Sequence, residues 1–203
     1  MARPTVLYFF AFRSPYAALA DFRVDDLIES VGAELEPIPI VPPASDPPTG
    51  LAATLQESRV DYQREDTERW ARRLSIPWNP PPRGPVDSRD AVAGYLYARE
   101  RGRERHFRNA VFRSRWCEGK NIDDPNVLAE CAEDCRFSPN DFLQALRSRV
   151  YHGAIDDALG RALENRVFGV PTFVFAGERF WGNDRLDFLV DAIRRRDAGA
   201  ARG

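Results

Sequence analysis

A chain of 203 residues holds one domain with an elaboration, or two small ones. At 43% hydrophobic and 30% charged it can bury a sizeable core under a solvated surface, and a formal net charge of -2 gives no overall attraction to nucleic acid or to an anionic membrane. No run approaches the roughly 18 apolar residues that cross a bilayer, and the short apolar run behind residues 1–4 ends at Arg13, unlike a secretory signal. A cytoplasmic protein is expected. All basic residues except Lys120 are arginine, a bias too general to mark any one site.

Residues 5–12 (TVLYFFAF) are dense in β-branched and aromatic side chains and read as a buried strand. Pro15 falls in the first turn of the next helix, where a missing N–H costs nothing. Leu19, Phe22, Leu27 and Ile28 then recur at helical spacing up to residue 30, and Gly32 stops the run. Residues 33–41 read as a second strand, placed at an edge by Pro37 and Pro39. Residues 42–50 (PPASDPPTG) form a loop, 61–75 a charged amphipathic helix, and 76–85 a rigid proline-rich segment. Helical spacing continues over 87–101, 105–116, 126–135 and 139–150, the last opened by Ser138 as N-cap with Pro139 and Asp141 in its first turn. After a helix over 154–165 come a strand over 171–176, a tight turn at Ala176-Gly177, a short strand over 178–181 and a closing helix over 184–196. The tail, 197–203, is expected to be disordered.

The order is β-α-β over 1–42, an all-helical insertion over 43–150, and α-β-β-α over 151–203. This predicts an α/β protein, a thioredoxin-like fold interrupted by a helical insertion that packs over one end of the sheet and walls a site.

Three short segments carry the chemistry. Ser14 lies between the first strand and the first helix; read alone, it is an ordinary helix cap. No histidine lies near it in sequence, so a hydrolase triad is disfavoured. Gly169-Val170-Pro171-Thr172-Phe173 puts a proline at the start of an otherwise buried strand. Asn183 and Asp184 open the last helix after Trp181, where free N–H groups suit a carboxylate and the acidic side chain suits an ammonium. The three cysteines, Cys117, Cys131 and Cys135, make no disulfide framework. Cys131 and Cys135 share a helix face and read as packed small residues in preference to a redox pair. His106 and His152 stand apart without ligand spacing, so no metal site is expected.

Phe12-Arg13-Ser14-Pro15-Tyr16, Gly169-Val170-Pro171-Thr172-Phe173 and Phe180-Trp181-Gly182-Asn183-Asp184-Arg185-Leu186 together resemble the kappa-class glutathione transferase and 2-hydroxychromene-2-carboxylate isomerase family of the DsbA-like thioredoxin superfamily. Residues 69–74 (RWARRL) and 116–119 (WCEG) resemble its helical insert. The resemblance implies a cis Pro171 beside an active-site turn whose cysteine positions hold Ser14 and Ala17. Glutathione, or another low-molecular-weight thiol, would then supply the sulfur. Ser14 would donate a hydrogen bond to the thiolate, Pro15 and Tyr16 would line the same turn, and Val170 would pair with the cysteinyl backbone. Asn183 and Asp184 would hold the γ-glutamyl end beside Trp181. The chain departs from the family at Ala11, where an acidic residue is common, and at Ala17, where a small polar one is.

The leading expectation is a glutathione-dependent isomerase of a 2-hydroxychromene-2-carboxylate-like intermediate from aromatic degradation. A kappa-type glutathione transferase or peroxidase is the runner-up, and a non-catalytic thioredoxin-like binding module the third reading. A dithiol oxidoreductase is disfavoured because neither Ser14 nor Ala17 carries sulfur. The expected partner is a small-molecule substrate, and the family's members are often homodimers.

Overall fold

The computed structural model of the protein describes residues 3–43, 48–82, 84 and 86–200. Strand β1 (Thr5–Phe10) is central in a four-stranded sheet of order β2-β1-β3-β4. Strand β2 (Glu34–Pro39) runs parallel to it after helix α1 (Pro15–Ser30), while β3 (Thr172–Phe175) runs antiparallel on its other side. Strand β4 (Glu178–Trp181) closes a hairpin with β3, and Ala176 and Gly177 at its turn both have positive φ, 50° and 84°. This is the turn whose twist matches the flanking strands.

The two prolines of β2 are tolerated for a geometric reason. Glu34 and Ile40 donate their N–H groups towards the β1 side, to Pro4 and Phe10. Even-numbered residues therefore serve the ladder, and Pro37 and Pro39 place their missing donors on the open edge.

Alternation along β1 builds the core on both faces. Val6, Tyr8 and Phe10 belong to one large cluster with α1, α3 (Arg89–Arg99), α4 (Glu104–Trp116), α5 (Pro125–Asp134), α6 (Pro139–Arg147) and α8 (Leu186–Ala200). Phe9 and Ala11 turn the other way, against Ala158 and Ala162 of α7 (His152–Glu164). Helices α3 to α6 thus share one continuous core with the sheet. Two hydrogen bonds add to the join: Trp116 Nε1 donates to Phe12 O at 3.0 Å, and the Tyr95 hydroxyl donates to Pro37 O at 3.2 Å. Gly94 on α3 is required by close packing, since a Cβ there would lie 2.6 Å from Phe107.

Several boundaries differ from the sequence pattern; α6, for one, ends at Arg147, three residues before the predicted 150. Helix α2 spans Leu51–Arg73 and so starts ten residues before the predicted 61–75. Only Thr67 and Ala71 of it are buried; Leu51, Leu55 and Tyr62 share one face at helical spacing but stay exposed, so its first turns have no packed face. Strand β1 ends at Phe10 because its partner β2 ends opposite, at Pro39. Helix α8 continues to Ala200, through part of the tail expected to be disordered, while 201–203 lie outside the described residues. So do 44–47 of the predicted loop, and residues 83 and 85 of the proline-rich segment. Ser138 caps α6 as predicted, accepting from Asp141 N.

Candidate functional site

Ser14 stands where β1 gives way to α1, with extended backbone angles, and its Oγ accepts from Ala17 N at 3.2 Å. It is therefore the helix cap that its sequence suggests. The same hydroxyl also donates to Val170 O at 3.2 Å, across 156 residues of chain. The Val170–Pro171 peptide is cis. The fold thus brings the first two segments into direct contact: a hydroxyl at the positive end of a 16-residue helix faces the backbone that precedes a cis proline.

The third segment joins the second through β4. Gly182 N donates to Pro171 O at 2.9 Å, tying the end of β4 to the cis-proline turn. Trp181, 52% exposed, packs its indole over Gly169, where a Cβ would sit 2.8 Å from Nε1. Phe168 meets the same ring edge-on at 4.9 Å. Asn183 and Asp184 lie in a 3-10 turn, Asn183–Arg185, that leads straight into α8. The Asn183 side chain is buried, and its Nδ2 has no partner among the described residues. Its carbonyl accepts from Arg23 Nη2 at 2.6 Å. The half-exposed Asp184 carboxylate pairs with Arg185 at 2.9 Å.

Tyr16 closes this side of the site. Its hydroxyl donates to Asp66 Oδ2 of α2 at 2.9 Å. Burial, the hydrogen bond to Asp66 and that carboxylate's charge push the phenol above its ordinary range, so it stays protonated. Asp184 adds to the same shift, which puts Tyr16 within its field.

The chain's own thiols are unsuited to this chemistry. Burial pushes Cys131 and Cys135 up to about 11 and raises Cys117 above its ordinary value. Cys131 also packs its sulfur against the Ser114 hydroxyl at 3.4 Å. Among the described residues, no group of three or more His, Cys, Asp or Glu side chains is placed to hold a metal ion. No helix of the described residues is long and apolar enough to cross a membrane.

On the α2 side of Ser14 lies a cleft of about 260 Å³. Arg13 and Pro15, Gln63 and Thr67 of α2, and Arg115 and Trp116 of α4 line it.

Residues 5–194 match the family described as DSBA-like thioredoxin domain. The chain belongs to that family. It is 31% identical over 188 residues to the 2-hydroxychromene-2-carboxylate isomerase of Sphingobium xenophagum, covering 91% of this chain and 95% of the relative. The Pseudomonas putida protein of the same name is 29% identical over 191 residues, covering 93% of each chain. A solved structure of a 2-hydroxychromene-2-carboxylate isomerase superposes with a TM-score of 0.83 at 28% identity, covering 98% of each chain.

In this DSBA-like chain the predicted residues fall into two groups. Ser14, Val170 and Pro171 meet directly, with Trp181 stacked on the same turn. Tyr16 is held by Asp66 of α2, within reach of the charge on Asp184. Asp66 and Arg115 escaped the sequence reading. Asp66 is one of many charges on an arginine- and glutamate-rich helix, and only packing of α2 on α1 singles it out. Arg115 adjoins the Trp116-Cys117 pair that carried part of the resemblance, and that adjacency was the available signal.

Proposed function

We propose that the protein is a glutathione-dependent isomerase acting on a 2-hydroxychromene-2-carboxylate-like intermediate. The observation that carries this reading is the Ser14 hydroxyl, held at the N-terminus of α1 and aimed at the carbonyl before cis Pro171. The residues fit a peptide thiol. Val170, itself only partly buried, precedes β3 and suits β-type pairing with a peptide. The unpartnered Nδ2 of buried Asn183 and the carboxylate of Asp184 suit the two charges of an amino-acid end. Glutathione bound there would supply a thiolate able to add to a conjugated acceptor and leave again, permitting rotation about the bond between.

The task of the chain is to keep that sulfur ionised. Half ionisation at pH 7 of a thiol of pKa about 8.5 needs roughly 2 kcal/mol. Ser14 Oγ is fixed by the N–H of Ala17, so only its proton need turn, from Val170 O to sulfur. The exchange gives up a neutral hydrogen bond of about 1 kcal/mol for one to a charge of about 1.5–3 kcal/mol. The net gain is about 0.5–2 kcal/mol, and the helix terminus adds about 0.3–1 kcal/mol. The sum, about 0.8–3 kcal/mol, spans the requirement without a general base. Val170 O, released by Ser14, is then free to accept from a ligand N–H.

Free thiol followed during turnover tests the reading. Activity should require glutathione and leave its concentration unchanged. Stoichiometric thiol loss would instead mark a kappa-type transferase, and full activity in thiol-free protein would remove the cofactor.

A further inference from the structure

We propose that Arg115 is the specificity determinant of the second substrate, anchoring the carboxylate of a flat, unsaturated organic anion in the cleft beside Ser14. The inference rests on the thiol reading in one respect: the cleft is taken as the acceptor side of that site.

Arg115 is 6% exposed, and its Nε has no partner among the described residues. Among those residues no carboxylate lies within ion-pair distance of it; Asp123 acts on it only from farther off. Burial lowers the guanidinium's proton affinity, opposed only by that distant charge. A buried cation without a partner is costly, and folded chains keep few of them without a use. The guanidinium carbon lies 5.1 Å from the Trp116 ring centroid. That contact supplies no hydrogen-bond acceptor and leaves the N–H of Nε unanswered. In-plane N–H donors are what a carboxylate takes in pairs.

The rest of the cleft agrees with an anionic guest. Arg13 adds positive charge, Arg64 lines the cleft while paired with Glu68 at 3.5 Å, and no Asp or Glu lines the cleft among the described residues. Pro15, Val60, the Pro80–Pro82 run and Trp116 provide apolar walls. Trp116 is itself held flat by stacking on Trp78 at 5.4 Å. A volume of about 260 Å³ lies just below the usual range for drug-sized ligands, roughly 300–1,000 Å³. It suits a ring system with a short unsaturated arm, not a peptide or nucleotide. Arg13 and Pro15 flank Ser14, so an anion anchored on Arg115 presents its unsaturated carbons along the wall that leads to the proposed thiol.

Calorimetric titration of the thiol-free protein with trans-cinnamate and with its neutral amide, cinnamamide, tests this. Cinnamate should bind about ten- to a hundred-fold more tightly than the amide, the worth of a charge-assisted hydrogen bond. Arg115→Met should erase the preference and leave glutathione affinity unchanged. Arg115→Lys, which keeps the charge but not the fork, should retain only part of it; should the methionine variant not fold, this one decides. Equal binding of acid and amide, no binding of cinnamate, or a full preference surviving in either variant would overturn the proposal. So would a ten-fold loss of glutathione affinity in Arg115→Met, since the arginine would then serve the tripeptide. If cinnamate is preferred and glutathione shows no affinity at all, the thiol reading falls and the anion anchor stands.

Discussion

Arg108 and Arg115 lie two turns apart on one face of α4, and both are almost fully buried. Their surroundings are opposite. Arg108 pairs with Asp21 and Asp25 of α1, and Asn109 donates to the other oxygen of Asp21. Burial works against the charge on Arg108, but Asp21 and Asp25 outweigh it and hold the guanidinium protonated beyond its ordinary range. Arg115 has neither carboxylate nor a partner for Nε among the described residues. Burial alone therefore does not reveal the role of a charged side chain. The satisfied arginine fastens the helices to the thioredoxin-like part of the chain, and the unsatisfied one faces a cleft.

The largest effect that can break this comparison is on stability. Arg108→Met leaves two carboxylates in the interior and should cost about 3–5 kcal/mol, measured by urea unfolding. Arg115→Met, which removes a cation with no close counter-ion, should stay within about 1 kcal/mol of the parent. Equal losses in the two variants would mean that both arginines are structural.

A second test uses pH. Burial, opposed by Arg108, pushes the Asp21 carboxyl up to about 6, above an unfolded value near 3.9. The native state then holds this proton more tightly than the unfolded state does. The favourable contribution is fully present below about pH 4 and is lost as pH rises through 6. Stability of the parent should fall with rising pH across that window relative to Asp21→Asn, by at most about 1.4 kcal/mol per pH unit. Matching slopes would show that Asp21 is ionised throughout.

Smaller effects are expected at the site. Ser14→Ala removes both the cap and the donor. It should cost about 1 kcal/mol of stability and raise the pKa of a bound thiol by about one unit, seen in the ultraviolet thiolate absorbance. Ser14→Asp keeps the cap but removes the donor, so stability should survive while the thiolate does not. Tyr16→Phe, which touches stability alone, removes one hydrogen bond to Asp66 and should lower stability by about 0.5–1.5 kcal/mol. A larger loss would give the α1–α2 contact more weight than the geometry does.

Much of the fold was legible because local chemistry and tertiary structure agree. The β-branched and aromatic run of β1, the Pro15 start of α1, the Ser138 cap of α6 and the Ala176-Gly177 turn all follow from short-range preferences. The start of α2 was not legible, since it follows the proline-rich loop directly and Gly50 offers no side-chain cap to mark it. Ser14 could be placed at a helix N-terminus from its neighbours alone. Its second hydrogen bond, to Val170, could not be derived from them.

By itself, then, the sequence determined the strands, most of the helices and the absence of sulfur at the Ser14 turn, because propensity, capping and periodicity act over a few residues. Only the tertiary structure decided that the Ser14 proton is already committed to Val170, that Tyr16 is held by Asp66, and that of two arginines on one helix face one is paired and the other not. Partnership between side chains distant in the chain is a matter of distance and burial, and neither exists until the chain has folded.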